Sequence, residues 1–286
     1  MAAGVEPADY QVYAPCHPRP MWQAGHMPAD IAFGITAGAR PDHARLGAEL
    51  ERLGYAELWV NDTRRGDGVA TLEQAAPATS SLRFGLGVIA LSEHAPAAIE
   101  ERISRASLPL DRLTVGVGAG ASASLELVRD GVAELRRLLP GVPIAVAAVG
   151  PRMLHLAGEV ADAVVATWAL PHRVAEIRER VSESADAAGR PSPRLVLYLR
   201  TAIGEGAGSR LRAEMDRYAS RGRHYARAFT EQPNQLVGVA LESEDPAALA
   251  AALDPYRAAA DTVVVRAIPT EDSVDGWLRV AHAAAG

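Results

Sequence analysis

The stretch AVAAVGPRMLHLAGEVADAVVATW, residues 145–168, places a strand, a tight turn, a helix and a second strand in immediate succession. The spacing of its apolar residues predicts a helix over 151–160 between strands over 143–149 and 162–167. Gly150 permits a sharp turn, and the proline after it suits the first helical position because proline has no amide hydrogen to leave unpaired. Such a unit predicts parallel strands joined by a right-handed crossover helix.

The same alternation extends over most of the chain. About eight apolar strand segments alternate with helical segments from residue 30 onward. Eight is the number of strands in a closed (β/α)8 barrel, a fold that typically has about 250 residues. We therefore predict an α/β fold, a (β/α)8 TIM barrel, as a single domain over residues 30–286. A doubly wound parallel sheet is the alternative.

Two segments do not fit the repeating pattern. The polar helical stretch from about 203 to 242 is longer than a normal connection, which predicts a helical insertion between strands 7 and 8. Residues 1–29 are rich in proline and show no hydrophobic period, which predicts an irregular N-terminal arm.

Composition excludes several classes of function. The 286 residues are 49% hydrophobic and 22% charged, as in soluble globular proteins, and the net charge of -6 gives no general attraction to nucleic acid or anionic membranes. The chain has no apolar run of about 18 residues, and its first residues lack the features of a secretory signal. We expect a cytoplasmic protein that acts on a small molecule, without nucleic-acid or membrane partners.

The inventory of residue types narrows the chemistry further. All 29 basic residues are arginines, which excludes a Schiff-base lysine and the lysine of a phosphate-binding loop. Cys16 is the single cysteine, so no disulfide can form within the chain. Cys16, His17 and His26 lie close in sequence, but no carboxylate or helical spacing supports a metal site there, and we predict none.

In a parallel barrel, functional residues lie where the strands end. The predicted strands end in NDT (61–63), SEH (92–94), GVGAG (116–120), VGPR (149–152) and TWALPH (167–172). Two of these ends, GVGAG and VGPR, are small and contain glycine, and acids are few among the five, which favours a flat or elongated ligand over a metal held by carboxylates. The free amides at the start of the helix after Gly150 form an anion site; an ordinary capped turn is the structural alternative.

Several strings, in this order, are similar to the bacterial-luciferase-like flavin and deazaflavin oxidoreductases. They are AELERLGYAELWVND (48–62), GVIALSEHAPAAI (87–99), LPLDRLTVGVGAG (108–120), GPRMLHLAGEVADAVV (150–165) and DTVVVRAIPTEDSVDGWLRVAHAAA (261–285). The resemblance covers most of residues 31–286. It implies a luciferase-like (β/α)8 barrel that binds coenzyme F-420, a deazaflavin, or alternatively FMN, and it implies a homodimer.

The resemblance also implies cofactor-binding residues. The phosphate would rest on the turn after the fifth strand and on the end of the sixth, at Ala148, Val149, Gly150, Pro151 and Thr167. The ring would lean on the third strand, where the family often has a non-proline cis peptide, and on the fourth-strand glycines, at Gly87, Val88, Ile89, Gly118 and Gly120. Asp62 matches an acidic residue near the deazaflavin head, and Thr63 lies beside it.

The chain departs from the family pattern at positions that handle protons. Thr63 stands where deazaflavin dehydrogenases commonly have histidine, Ala121 where some have glutamate, and Glu93 where the family tends to have arginine. Sugar-phosphate dehydrogenation is therefore not expected. The catalytic candidates are Asp62, His94 as an acid and Trp168 as a stacking surface; packing roles are the alternative for each.

The sequence thus predicts an oxidoreductase that transfers a hydride between bound F-420 and a small organic substrate. One alternative is an FMN-dependent monooxygenase supplied by a separate reductase. The other is a non-catalytic homologue that binds a flavin-like ligand. Hydride transfer depends on orientation in a dry pocket more than on a strong base, so the missing histidine does not exclude the first reading.

Overall fold

The computed structural model describes residues 30–38, 42–63, 66–222, 225–226, 229 and 235–286. The predicted N-terminal arm, residues 1–29, lies outside the described residues, as do Cys16, His17 and His26.

Parallel pairing closes the strands into a barrel. The strands are β1 (Asp30–Thr36), β2 (Glu57–Asn61), β3 (Arg83–Ala90), β4 (Leu113–Gly118), β5 (Ile144–Ala147), β6 (Ala163–Thr167), β7 (Arg194–Ile203), β8 (Val239–Leu241) and β9 (Thr262–Ala267). Strands β1 to β7 pair in chain order, β7 pairs with β9, and β9 pairs with β1. These eight strands form a closed ring, which confirms the predicted (β/α)8 barrel and excludes the open doubly wound sheet.

Helices surround the ring. They are α1 (His43–Arg52), α2 (Gly68–Ala75), α3 (Pro96–Arg105), α4 (Leu125–Leu138), α5 (Pro151–Val160), α6 (Pro171–Ala187), α7 (Ala207–Ala219), α8 (Pro246–Arg257) and α9 (Val274–Ala285). Each buries an apolar face, as α4 does with Val128, Val132 and Leu135. Within the described ranges, no helix combines the length and apolarity needed to span a bilayer.

The predicted insertion lies between β7 and β9, the seventh and eighth strands of the ring. It contains α7 and the short strand β8, which pairs parallel with the last residues of β7, from Thr201 to Ile203. Leu211 and Met215 of α7 and Val237 before β8 are buried against Trp168, which follows β6. The insertion therefore packs on the carboxyl end of the barrel, beside the sixth and seventh strands.

The amino-terminal end of the barrel is filled by an ionic cluster around Glu57. This carboxylate is almost fully buried and accepts hydrogen bonds from Arg194 at 2.5 and 2.9 Å and from Arg83 at 3.0 and 3.2 Å. Trp59 Nε1 donates a hydrogen bond to the same carboxylate at a distance of 2.5 Å. Burial alone would raise the pKa of Glu57, but the two guanidiniums, Arg194 above all, hold it below its usual range.

The indole of Trp59 occupies the barrel axis above this cluster. It is fully buried and contacts the Tyr198 ring edge-on, with 5.9 Å between ring centroids. Gly85 on the neighbouring strand leaves it room, because a Cβ at that position would lie 2.1 Å from the indole. The amino-terminal half of the barrel is thus a packed interior rather than a channel.

We expect Glu57→Gln to lower the free energy of unfolding at pH 7 by about 3 kcal/mol, because it leaves the mostly buried Arg194 guanidinium without its carboxylate partner and Arg83 with only the exposed Asp30. The folded-state pKa of Glu57 lies below its ordinary value of 4.5, so this stabilisation is present above about pH 4.5 and is lost as the pH falls. Chemical denaturation at pH 7 and at pH 3 measures both effects.

The matched control is Asp30→Asn. Asp30 pairs with the same Arg83 at 2.7 Å, but its side chain is 52% exposed, so its removal should cost no more than about 1 kcal/mol. Equal losses in the two variants at pH 7 would contradict the assigned role of Glu57.

Candidate functional site

The carboxyl end of the barrel, in contrast to the filled amino end, is lined by residues that remain partly exposed. Thr36, Asn61, Val88, Ala147 and Thr167, from five different strands, are each partly accessible there. We refer to the barrel mouth that they surround as the cleft; its two sides differ in chemistry.

The side formed by β3, β4 and β5 is built from small residues. A Cβ on Gly118 would lie 3.4 Å from Val88 and 3.5 Å from Ala147, which is ordinary van der Waals contact. The position could therefore hold a methyl group, and glycine leaves that volume empty. The Gly87–Val88 peptide is cis, at the place where the family resemblance implies a cis bond. Ile89, the next residue, is fully buried.

At Gly87 and Gly120, neighbouring atoms leave no room for a side chain. A Cβ on Gly87 would lie 2.0 Å from the Tyr198 hydroxyl, so the glycine lets that hydroxyl approach the backbone of β3. Gly120 has φ +62°, and a Cβ there would lie 2.2 Å from Ser92 Oγ. Loop packing is thus one reason for glycine at position 120, and its place beside the cofactor ring stays a prediction.

Several helices start without a side-chain cap, among them α3, α5 and α6. Gly150 precedes α5, and Leu170 precedes α6; both helices begin with proline, and no described side chain caps either one. By contrast, Ser124 caps α4 and Asp67 caps α2. A Cβ on Gly150 would meet nothing within 4 Å, so the space in front of α5 is open.

The other residues predicted for the phosphate lie around the same turn. Ala148 is buried and its amide donates to Val165 O at 3.1 Å, while Val149 is partly exposed and Pro151 is exposed. Thr167 Oγ1 accepts a hydrogen bond from Arg200 of β7. The structure thus brings the ends of β5 and β6 together, as expected for a shared binding position.

Asp62 and His94 meet on the outer side of the β2–β3 rim. The Asp62 carboxylate accepts hydrogen bonds from Gly68 N at 2.7 Å and from Arg102 at 3.1 Å, which ties it to α2 and α3. His94 Nε2 lies 3.8 Å from Asp62 Oδ2. Thr63 is exposed and forms a backbone bridge with Gly66.

Asn61, which the sequence analysis did not select, takes the position that faces the barrel axis at the end of β2. Its amide nitrogen donates to Gly87 O, and its amide oxygen accepts from Arg266 Nε at 3.3 Å. Side chains alternate along a strand, so Asn61 and Asp62 necessarily point to opposite faces. Asn61 therefore lies closer to the cleft than the carboxylate beside it.

The side formed by β6, β7 and β9 is cationic and aromatic, and sequence reasoning missed most of it. Arg200 donates to Thr167, and its guanidinium lies 4.4 Å from the Trp168 ring and 4.9 Å from the Tyr218 ring. Arg266 donates to Thr36 and Asn61. A usable signal existed, because an arginine interrupts each of the apolar strands LVLYLRTAI and TVVVRA.

Trp168 is buried at 3% exposure, with φ +56°. Its ring centroid lies 5.0 Å from that of Tyr218 and 5.1 Å from that of Phe229, both in the insertion. Its indole Nε1 and the Tyr198 hydroxyl are buried without a hydrogen-bond partner among the described residues. A stacking role for Trp168 against cofactor or substrate stays a prediction.

In the part of the chain that the structure describes, no three His, Cys, Asp or Glu residues come together in a group that could hold a metal ion.

A family model described as luciferase-like monooxygenase matches residues 21–138 and 128–265. The chain is also similar to 5,10-methylenetetrahydromethanopterin reductase of Methanolobus tindarius, with 25% identity over 176 residues. That match covers 49% of this chain and 54% of the reductase, so the chain spans about half the length of this curated relative.

Three solved structures share the fold. An F-420-dependent secondary alcohol dehydrogenase in complex with an F-420-acetone adduct superimposes with a TM-score of 0.69 at 14% identity, covering 89% of this chain and 97% of that one. The F-420-dependent tetrahydromethanopterin reductase of Methanopyrus kandleri gives 0.65 at 15%, covering 89% and 98%. The oxygenating constituent of 3,6-diketocamphane monooxygenase of Pseudomonas putida, in complex with FMN, gives 0.60 at 16%, covering 88% and 96%.

We expect Gly87→Ala to destabilise the protein by about 1–3 kcal/mol, because its methyl group would collide with the Tyr198 hydroxyl. Adding Tyr198→Phe, which removes that hydroxyl, should restore part of the loss. Gly118→Ala is the control, since its Cβ meets only ordinary contacts, and it should unfold close to wild type. Equal stability of the Gly87 and Gly118 variants in thermal melts would contradict this account of β3.

Proposed function

The chain belongs to the luciferase-like monooxygenase family, and we propose that it is an oxidoreductase that transfers a hydride between bound coenzyme F-420 and a small organic substrate. The observation that carries the proposal is a cleft of small residues, around Val88, Gly118 and Ala147, that lies beside the open, uncapped start of α5 at Gly150. The homodimer and the cytoplasmic location remain predictions from the sequence.

The fit of a phosphate rests on the turn after β5. The amides of the first turn of α5 carry partial positive charge, and helix starts of this kind bind anionic groups. Gly150 adds no side chain to the space in front of them, and Val149 and Thr167 border it. We assign Ala148, Val149, Gly150, Pro151 and Thr167 to the phosphate position, largely through their backbone.

The fit of a flat ring rests on the small-residue wall formed by β3, β4 and β5. Val88 is partly exposed, Gly118 leaves its own side-chain volume free, and the buried Tyr198 hydroxyl and Trp168 indole NH lack described partners. When bound there, the deazaflavin would supply the hydride donor or acceptor. The chain would hold the ring against β3 and exclude water from its inner face.

We assign to His94, which lies 3.8 Å from Asp62 on the outer side of the β2–β3 rim, the exchange of protons with solvent rather than direct contact with the ring. A partly exposed imidazole can exchange a proton with solvent, and the adjacent carboxylate would orient it. This pair would stand in for the histidine and glutamate that Thr63 and Ala121 replace. Asp62 would keep its bonds to Gly68 and Arg102 while doing so.

The cofactor is tested by titrating the purified chain with F-420 and with FMN while following quenching of ligand fluorescence. We expect F-420 to bind the more tightly. Tighter binding of FMN would favour the alternative, a monooxygenase supplied by a separate reductase, since one matched structure contains FMN. Binding of neither compound would contradict the proposed oxidoreductase.

The phosphate position is tested by Gly150→Asp. We expect its carboxylate to weaken cofactor binding about 100-fold or more by repulsion of the phosphate. Gly150→Ala is the matched control: it adds a methyl group in open space at an extended φ of -94°, and it should bind within a few-fold of wild type. Unchanged affinity of the aspartate variant would refute this position for the phosphate.

A further inference from the structure

Two arginines face each other across neighbouring strands at the mouth of the barrel. Arg200 of β7 and Arg266 of β9 are register partners, and adjacent strands lie about 4.8 Å apart. Their donors meet only neutral oxygens: Arg200 binds Thr167, and Arg266 binds Thr36, Asn61 and the carbonyl of its own neighbour Ala267. Among the described residues, no carboxylate lies within ion-pair distance of either guanidinium.

The opposite end of the same barrel shows how this chain neutralises arginines when no ligand is involved. There Arg83 and Arg194 share the buried Glu57 carboxylate, which lies 2.5 Å from Arg194 and 3.0 Å from Arg83. Like charges placed directly opposite each other in a sheet are destabilising. The pair Arg200 and Arg266 therefore carries a positive charge that no carboxylate of the described residues neutralises. Such a pair suits an anion that comes from outside the chain.

Titratable groups around the pair respond to its charge. Burial lowers the pKa of Arg266 to about 10, and the positive charge of Arg200 acts in the same direction more strongly than the attraction of Asp272 opposes it. Burial alone would raise the pKa of Tyr218, but Arg200, Arg266 and Arg221 together lower it. The guanidiniums thus favour the anionic form of the Tyr218 hydroxyl.

Unsatisfied donors mark the same place. Arg200 is 4% exposed, yet its Nε has no described hydrogen-bond partner, and the Tyr198 hydroxyl next to Gly87 has none either. Arg266, whose guanidinium is also largely desolvated, keeps a partial exposure of the residue as a whole. We propose that Arg200 and Arg266 bind an anionic group of the substrate, a carboxylate or a phosphate, beside the ring position assigned above.

That the bound anion is part of a substrate rests on the proposed function. The arginine pair then restricts the substrate class to small organic anions. The planar forks of two guanidiniums match the paired oxygens of a carboxylate or a phosphate. The rest of the molecule would extend from the arginine pair toward Val88, where the cleft is lined by small residues. The aromatic rings of Trp168 and Tyr218 would shield the ion pairs from water.

The test uses the full chain at constant ionic strength, with three probes: inorganic phosphate, benzoate and its neutral counterpart benzamide. Thermal melts and tryptophan fluorescence follow binding to the protein alone and with F-420. We expect phosphate or benzoate, but not benzamide, to raise the melting temperature. Arg200→Gln and Arg266→Gln should each weaken that binding by about tenfold or more.

Arg83→Gln is the matched control at the other end of the barrel. It should lower the melting temperature of the free protein and keep the full anion-induced increase. This control distinguishes loss of stability from loss of anion binding. Equal anion-induced shifts in wild type, Arg200→Gln and Arg266→Gln would overturn the proposal.

The remaining outcomes separate this site from the cofactor. If both glutamine variants lose F-420 binding as Gly150→Asp does, and neither anion adds to the stability of the F-420-bound wild type, the pair serves the cofactor and the proposal is overturned. If neither F-420 nor FMN binds while the anion shift still depends on Arg200 and Arg266, the arginine site stands and the proposed cofactor falls.

Discussion

Closure of the strand ring constrains everything else in this molecule. Because β9 pairs with both β7 and β1, no strand edge is left among the eight, and every second side chain must point into a narrow interior. At the amino end, Glu57, its two arginines and the Trp59 indole fill that interior. Chemistry is therefore confined to the carboxyl end, where the inward positions carry glycine, alanine and polar side chains.

The two sides of that end have complementary characters. One side, from β3 to β5, presents backbone and small residues, which suits a flat ligand held by shape and by helix amides. The other side, from β6 to β9, presents guanidiniums backed by aromatic rings, which suits a charged and more variable ligand.

Most of the fold followed from local patterns, since a helix predicted over 151–160 is observed as Pro151–Val160. The site residues were predicted less well, because the direction of a side chain and the register between two strands are not local properties of the sequence. Asp62 was selected for its place at a strand end, but one residue of alternation turns it toward α2 and α3 and leaves Asn61 facing the axis. Arg200 and Arg266 become neighbours only through the register of β7 and β9, which no single segment of sequence reveals.

The insertion after β7 contributes Tyr218 and Phe229 to the wall around Trp168 while supplying none of the hydrogen bonds that close the ring. The wall around Trp168 and the closure of the ring are thus formed by different parts of the polypeptide. A change in the length or sequence of this insertion can therefore reshape that wall while the strand pairing of the cylinder stays intact.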